Sequence, residues 1–256
     1  MKILAIGDIV AATGRNMVFE VLELLRPTVD FVVANCENAA HGRGLTRNVY
    51  EELNRSGIDA FTMGNHTWRC PDIVNIMKYS DNLIRPENFE GECPGEGYAV
   101  IRAKNGVRIG IINLIGRTYM QPAANPFTTA EKCIERLKEK TDIILVDFHA
   151  EATSEKIAMG YFLDGKVSAI FGTHTHVQTA DDTVLPGGTG YITDLGMTGP
   201  SVSVLGMEKS IVIERFIDGI PRKFEVASGK GQFCGCIFEI DEKTGKTADT
   251  ERVFIK

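Results

Sequence analysis

The segment that decides the fold reads KILAIGD at residues 2–8, an apolar run that ends in Gly7-Asp8. Two later segments have the same form: FVVANCEN at residues 31–38 and AFTMGNH at residues 60–66. Helix-like patterns at residues 15–25 and 47–55 separate the three runs. Apolar strands alternating with helices predict a parallel α/β sheet, and the lack of polar alternation within each strand indicates that both sheet faces are covered.

The remainder of the chain continues as a mixed α/β pattern. Residues 97–102 and 107–114 are strand-like and flank Asn105-Gly106, which predicts a hairpin. Helices are expected at 129–139 and 154–162, buried strands at 143–146 and 169–171, and a strand pair at 232–240 and 250–255. Because no repeat or linker interrupts the chain, we expect a single domain over residues 1–256.

Composition limits the function classes. The 256 residues are 43% hydrophobic and 24% charged, which is typical of a folded protein, and the formal net charge is −6. An acidic chain is a poor ligand for duplex nucleic acid. No apolar stretch reaches membrane-spanning length, and residues 1–10 lack the features of a signal peptide, so we expect a cytoplasmic protein that does not bind membranes.

Polar clusters rich in metal-ligating side chains follow five of the apolar runs. In open α/β sheets, ligands bind beyond the carboxyl ends of the strands, so residues distant in sequence converge there. Each cluster alone is more simply explained as a helix cap, a turn or a satisfied histidine. The set as a whole predicts a metal site. The clusters are Asp8, Glu37-Asn38, Asn65-His66, His149 and His174-Thr175-His176.

The number of candidate ligands favours two metal ions. A single catalytic ion uses about three protein ligands, whereas a pair of ions about 3.5–4 Å apart accommodates more. Carboxylate, carboxamide and imidazole ligands suit Fe, Mn, Zn or Mg. The seven candidates are Asp8, Glu37, Asn38, Asn65, His149, His174 and His176.

These motifs resemble the calcineurin-like metallophosphoesterase superfamily, and within it the YmdB-like bacterial phosphodiesterases that act on cyclic nucleotides. The closer likeness lies in NCENAA at 35–40, GNHTW at 64–68, DFHAEATSEK at 147–156 and TDLGMTGP at 193–200. Two positions depart from the wider superfamily: Asp8-Ile9-Val10 lacks the usual histidine, and Glu37 stands where an aspartate usually bridges the metals. The branch shares both changes, with Asn38 as a substitute ligand.

The resemblance implies two packed mixed β-sheets flanked by helices and a substrate that is a 2′,3′-cyclic or 3′,5′-cyclic nucleotide. Fe or Mn would be the metals most expected, with Mg or Zn as alternatives. One ion would be bound by Asp8, Glu37, Asn38 and His176. The other would be bound by Glu37, Asn65, His149 and His174, so that Glu37 bridges the two.

The expected reaction is attack on phosphorus by a hydroxide that bridges the two metals. His66 would protonate the leaving alkoxide, because an imidazole exchanges protons readily near neutral pH; the alternative is that it only orients the phosphate. Arg117 is a candidate phosphate contact, with an ordinary surface arginine as the equal alternative.

Three other interpretations of the sequence stay open. The first is a phosphomonoesterase or nuclease that uses the same metal site. The second is a regulatory nucleotide- or RNA-binding protein with weak catalysis. The third is an α/β domain without a dinuclear centre. The sequence is also compatible with a homo-oligomer and does not fix its size.

Overall fold

The computed structural model describes residues 1–256 and contains fourteen strands. In chain order the strands are β1 (Lys2–Ile6), β2 (Asp8–Ile9), β3 (Phe31–Asn35), β4 (Ala60–Thr62), β5 (Leu83–Ile84), β6 (Tyr98–Arg102), β7 (Arg108–Ile115), β8 (Ile143–His149), β9 (Ala169–Thr173), β10 (Thr183–Val184), β11 (Gly190–Ile192), β12 (Met197–Pro200), β13 (Gly231–Ile240) and β14 (Thr247–Ile255).

Six α-helices connect these strands. They are α1 (Ala11–Leu25), α2 (Arg47–Arg55), α3 (Ile73–Tyr79), α4 (Pro126–Lys138), α5 (Thr153–Leu163) and α6 (Lys209–Asp218). No helix is both long enough and apolar enough to cross a bilayer.

The strands form two mixed sheets. The eight-stranded sheet has the order β2-β12-β13-β1-β3-β4-β5, with β14 paired to β13. In it β1, β3, β4 and β5 are parallel, whereas β13 is antiparallel to β1. The six-stranded sheet has the order β10-β11-β9-β8-β7-β6, and β7, β8, β9 and β11 are parallel.

Alternate residues of β1 show how the two sheets pack. Ile3 and Ala5 belong to a core cluster that also contains Ile111 and Leu145 of the six-stranded sheet. Leu4 and Ile6 belong to a different cluster, which includes residues of α1, α2 and α3. Side chains of a strand point alternately to opposite faces, so the first cluster lies between the sheets and the second lies beneath helices.

The opposite face of the six-stranded sheet is covered in the same way. Ile144 and Val146 of β8 pack with residues of α4 and α5 in a third cluster. The layers are therefore helix, sheet, sheet, helix, and the predicted sandwich of two mixed sheets flanked by helices is confirmed. Both hairpins are also confirmed, since β6 pairs with β7 and β13 with β14, both antiparallel.

Several helices differ from the sequence prediction. α1 begins at Ala11, four residues before the apolar periodicity, and α4 begins at Pro126, where the side chain of Asn125 accepts hydrogen bonds from the Phe127 and Thr128 amides. Neither α3 nor α6 was predicted. α6 has only one buried residue, Val212, so its apolar side chains do not give the one-sided pattern of a core-facing helix.

Candidate metal centre

The parallel strands of both sheets have their carboxyl ends at one shared edge, and the predicted ligands lie together there. Asp8 follows β1, Glu37 follows β3 and Asn65 follows β4, all in the eight-stranded sheet. His149 ends β8 and His174 follows β9, both in the six-stranded sheet. The site is therefore assembled from both layers of the sandwich, as the positions of these residues at strand ends predicted.

The tightest group of ligand atoms surrounds the buried imidazole of His149. Its Nε2 lies 2.9 Å from Asn65 Oδ1, 3.1 Å from Glu37 Oε1 and 3.1 Å from His174 Nδ1. Ligand atoms of Glu37, His149 and His174 all lie within 4.8 Å of one another, which is close enough to share one ion. Four of the predicted ligands therefore meet at one point.

Gly64 makes this approach of side chains feasible. A Cβ atom at this position would overlap both His149 Nε2 and Glu37 Oε2. Because Gly64 has no side chain, the backbone of residues 64–66 can lie against the Glu37 carboxylate. The His66 amide donates a 2.7 Å hydrogen bond to Glu37 Oε2.

Asp8, Asn38 and His176 form the other side of the cluster. Asp8 Oδ2 accepts a hydrogen bond from the His174 amide, and Asp8 Oδ1 lies 3.9 Å from His176 Nε2. Asp8 Oδ1 and Asn38 Oδ1 are buried and have no hydrogen-bond partner. A buried acceptor left unpaired costs about 1–3 kcal/mol, so these two oxygens fit cation ligands better than structural groups. The donor set therefore suits a metal ion on this side as well.

One ring nitrogen of each candidate histidine ligand is held by a partner, so that the other nitrogen faces the remaining candidate ligands. His149 Nδ1 is 2.9 Å from Thr173 Oγ1, and His176 Nδ1 is 3.1 Å from the Leu205 carbonyl. His174 Nε2 lies 3.1 Å from Glu151 Oε2. Partners of this kind fix the tautomer and the orientation of metal-binding imidazoles.

A buried network of polar side chains contacts the Nδ1 side of the His149 ring. The Thr173 hydroxyl donates to Asp147 Oδ1 at 2.7 Å and can therefore accept from His149 Nδ1. The carboxylate of Asp147 also accepts hydrogen bonds from Asn35 and Thr62. Burial raises the pKa of Asp147 to about 6, although His149 and these donors oppose the rise. The network fixes the position of the His149 ring from the sheet interior.

A buried ion pair holds the loop that carries His174 and His176. Lys156 Nζ lies 2.6 Å from Asp194 Oδ2, and the same oxygen accepts a 2.6 Å hydrogen bond from Thr175 Oγ1. His174 and His176 have φ values of 95° and 65°, a backbone region that non-glycine residues adopt only when their surroundings impose it. Lys156 and Asp194 supply part of that constraint.

The electrostatics of the cluster are dominated by Glu37 and His149. Burial favours a neutral Glu37, but His149 and His66 beside it hold the pKa of this carboxyl well below its usual range. Burial likewise favours a neutral His149, yet Glu37 and Asp8 raise the pKa of this imidazole. The two residues keep each other charged, and a cation at the centre would replace the His149 proton in balancing Glu37.

His66 lies at the surface of the cluster rather than within it. Asn38 Nδ2 donates to the Gly42 carbonyl at 3.0 Å and lies 3.1 Å from His66 Nδ1. His66 Nδ1 also lies 3.4 Å from Glu37 Oε1, so this ring nitrogen faces the carboxylate of the centre. His66 lines the cavity beside the centre, where its ring can reach a substrate.

Arg117 is the one predicted site residue that the structure does not bring into the cluster. It is exposed, does not line the cavity, and its side chain forms no hydrogen bond; only its backbone amide contacts Glu155 and its carbonyl contacts Met120. Conversely, sequence reasoning gave no role to Glu151, Lys156 or Asp194. A lone lysine within an otherwise apolar face of α5 was the one available signal for the ion pair.

The two-sheet sandwich and the cluster of acidic, amide and imidazole groups at its edge define the class of a hydrolase with a candidate metal centre. The family model described as "YmdB-like protein" matches residues 4–253, and the chain belongs to this family. The resemblance stated from the motifs is thereby confirmed.

Relatives with names and solved structures agree with this assignment. A 2′,3′-cyclic-nucleotide 2′-phosphodiesterase of Bacillus subtilis (strain 168) is 48% identical to this chain, over 100% of this chain and 97% of its own length. The crystal structure of a novel phosphatase from Mycoplasma pneumoniae has a TM-score of 0.93 at 38% identity, covering 100% of this chain and 93% of its own. A hypothetical protein from Thermus thermophilus has the same TM-score and identity, with 99% and 98% covered. The prediction that the chain is a phosphodiesterase is confirmed.

Proposed function

We propose that this protein is a dinuclear-metal phosphodiesterase that opens 2′,3′-cyclic nucleotides. The observation that carries the proposal is the pair of buried oxygens without partners, Asp8 Oδ1 and Asn38 Oδ1, beside the four ligands gathered at His149. A second ion would give these two oxygens a partner, which the group of ligands around His149 does not supply. The name of the Bacillus subtilis relative supports the choice of substrate.

The ligands divide into two sets that share Glu37. One ion would be held by Asp8, Glu37, Asn38 and His176, and the other by Glu37, Asn65, His149 and His174. Three imidazoles among these ligands favour Fe over Mg, the carboxylate and amide oxygens also suit Mn, and Zn fits the same donors. When bound, such ions supply Lewis-acid activation of the phosphodiester and of water.

His66 supplies the proton that the reaction needs. Opening a 2′,3′-cyclic phosphate at the 2′ position breaks the bond between phosphorus and the ribose 2′ oxygen, and the hydroxyl group of a water molecule is added to phosphorus. The 2′ oxygen leaves as an alkoxide unless it is protonated. His66 lines the cavity, and in its imidazolium form it would donate a proton to the 2′ oxygen and become neutral; the proton released by the attacking water then restores the imidazolium.

The central test combines metal analysis with assays of the purified protein on 2′,3′-cyclic, 3′,5′-cyclic and monoester substrates. We expect about two ions per chain and the highest kcat/KM on the 2′,3′-cyclic substrate, with a weaker activity on the 3′,5′-cyclic one. Glu37→Gln should lose metal and activity together. Glu239→Gln, an exposed change on β13, should keep both. A folded protein with no bound metal, or a preference for monoesters, contradicts the proposal.

The role of His66 has its own test. His66→Ala should lower kcat by roughly 10²- to 10⁴-fold while the metal content stays full, because the loss is confined to proton transfer. His41 lies outside the cavity lining, and His41→Ala should retain kcat. If His66→Ala keeps nearly all of its turnover, the histidine only orients the phosphate.

A further inference from the structure

A cavity of about 550 Å³ opens directly beside the metal centre, and its two ends differ in chemistry. The polar end is lined by Glu37, Asn38, His66, His174 and His176, the residues of the proposed reaction site. The apolar end is lined by Val204, Leu205, Met207, Val212, Phe216 and Phe224. This volume lies within the range of cavities that bind small organic ligands.

The apolar end presents flat side chains that are not packed into the core. Phe216, on α6, is 84% exposed although it lines the cavity. The guanidinium of Arg215 lies over the ring of Phe224, 4.9 Å from its centroid. Arginine planes and aromatic rings are the surfaces on which proteins stack nucleobases.

The charges around the cavity suit an anionic ligand. Arg43 and Arg215 line it, and neither side chain forms an ion pair or a hydrogen bond. Of the two lining carboxylates, Glu37 belongs to the metal centre and Glu151 is paired with His174. The two arginines therefore give local positive charge in a chain whose net charge is −6.

We propose that the apolar end is a nucleobase subsite in which Phe216 and Arg215 stack against the base while the cyclic phosphate lies at the metal centre. The proposal rests on the proposed function and names the part of the substrate that gives affinity. Because the apolar end is lined by no carboxylate or amide, it offers a base no side-chain acceptor, and the guanidinium of Arg215 lies flat over Phe224, so binding there rests on stacking. The subsite therefore selects nucleotides over other cyclic phosphates and accepts purines and pyrimidines alike.

The test compares substrates with and without a base. Wild type, Phe216→Ala and Ile217→Ala are assayed on 2′,3′-cyclic AMP, 2′,3′-cyclic CMP and methyl β-D-ribofuranoside 2′,3′-cyclic phosphate, which has no base. Ile217 is the matched control because it is the next residue of α6, is 80% exposed and does not line the cavity. Binding of adenosine 3′-monophosphate, measured by calorimetry, provides a readout that does not depend on turnover.

Phe216→Ala should lower kcat/KM on both nucleotides by roughly 5- to 150-fold, mainly through KM, because that is the range of one stacking contact. It should leave the substrate without a base nearly unchanged and weaken adenosine 3′-monophosphate binding, and Ile217→Ala should resemble wild type. Equal losses on all three substrates, unchanged binding, or equal effects of both variants together with a changed oligomeric state would overturn the subsite. If wild type hydrolyses no cyclic phosphate, the proposed function fails, and monophosphate binding still decides the subsite.

Discussion

Replacing Lys156 with methionine should destabilise the protein strongly. Lys156 Nζ lies 2.6 Å from Asp194 Oδ2, and the two side chains are 2% and 0% exposed. The substitution keeps most of the aliphatic volume but leaves the Asp194 carboxylate buried without a cation. Removing one partner of a buried ion pair costs about 3–5 kcal/mol of unfolding free energy. At about 2–4 °C per kcal/mol for a chain of this size, Tm should fall by roughly 6–20 °C.

The assay is urea and thermal unfolding followed by circular dichroism, with Lys2→Met as the matched control. Lys2 Nζ lies 3.9 Å from Glu239 Oε2, and both side chains are about half exposed. An exposed pair of this kind contributes about 0–1 kcal/mol, so the control should unfold close to wild type.

A double variant separates the lost charge from lost packing. Adding Asp194→Asn to Lys156→Met removes the uncompensated carboxylate, so the double variant should be more stable than Lys156→Met alone. If Lys156→Met unfolds within about 1 kcal/mol of Lys2→Met, the pair does not hold the loop and the reasoning fails.

Other perturbations test the centre and its surroundings. Gly64→Ala should reduce bound metal, because the new methyl overlaps an imidazole and a carboxylate of the centre, whereas Gly110→Ala, remote from the site, should keep full metal content. Glu151→Ala should weaken metal binding about tenfold by releasing His174, and Glu151→Gln should weaken it less because an acceptor oxygen remains. Arg117→Ala should leave kcat/KM within about twofold of wild type, since an exposed side chain away from the cavity loses no substrate contact. Removing the metals by chelation should lower Tm, and adding Mn at about 100 times its Kd should restore roughly 2.7 kcal/mol of stability.

The sandwich and the cluster were predictable because both depend on local order along the chain. The apolar runs predict buried strands, and the polar residues that follow them, such as Asp8, Glu37 and His149, mark where the strands end. Parallel strands bring those ends to one edge whatever the details of packing, so the gathering of these side chains follows from topology alone. Pairing of β13 with β1, in contrast, joins residues at opposite ends of the chain and leaves no local pattern.

The supporting residues were not predictable for a related reason. The partner of Lys156 is Asp194, 38 positions away, and the apolar face of α5 around Lys156 does not indicate which carboxylate that partner is. The helix α6 was missed because its apolar residues face the cavity and solvent instead of a core, which removes the one-sided periodicity by which helices are found. Arg117 was predicted as a phosphate contact only because a guanidinium can bind phosphate. The sequence around it does not indicate in which direction its side chain points.

The division of the ligands between the two sheets has a mechanical consequence. Asp8, Glu37 and Asn65 belong to one layer and His149 and His174 to the other, so an ion held by ligands from both would link the two sheets. Metal binding would then stiffen this edge, and a substitution between the layers that shifts one sheet against the other would change the spacing of the candidate ligands. Phe171 and Phe238 stack on each other in the core between the two sheets. Substituting either residue is therefore expected to alter the candidate metal centre without a direct contact to it.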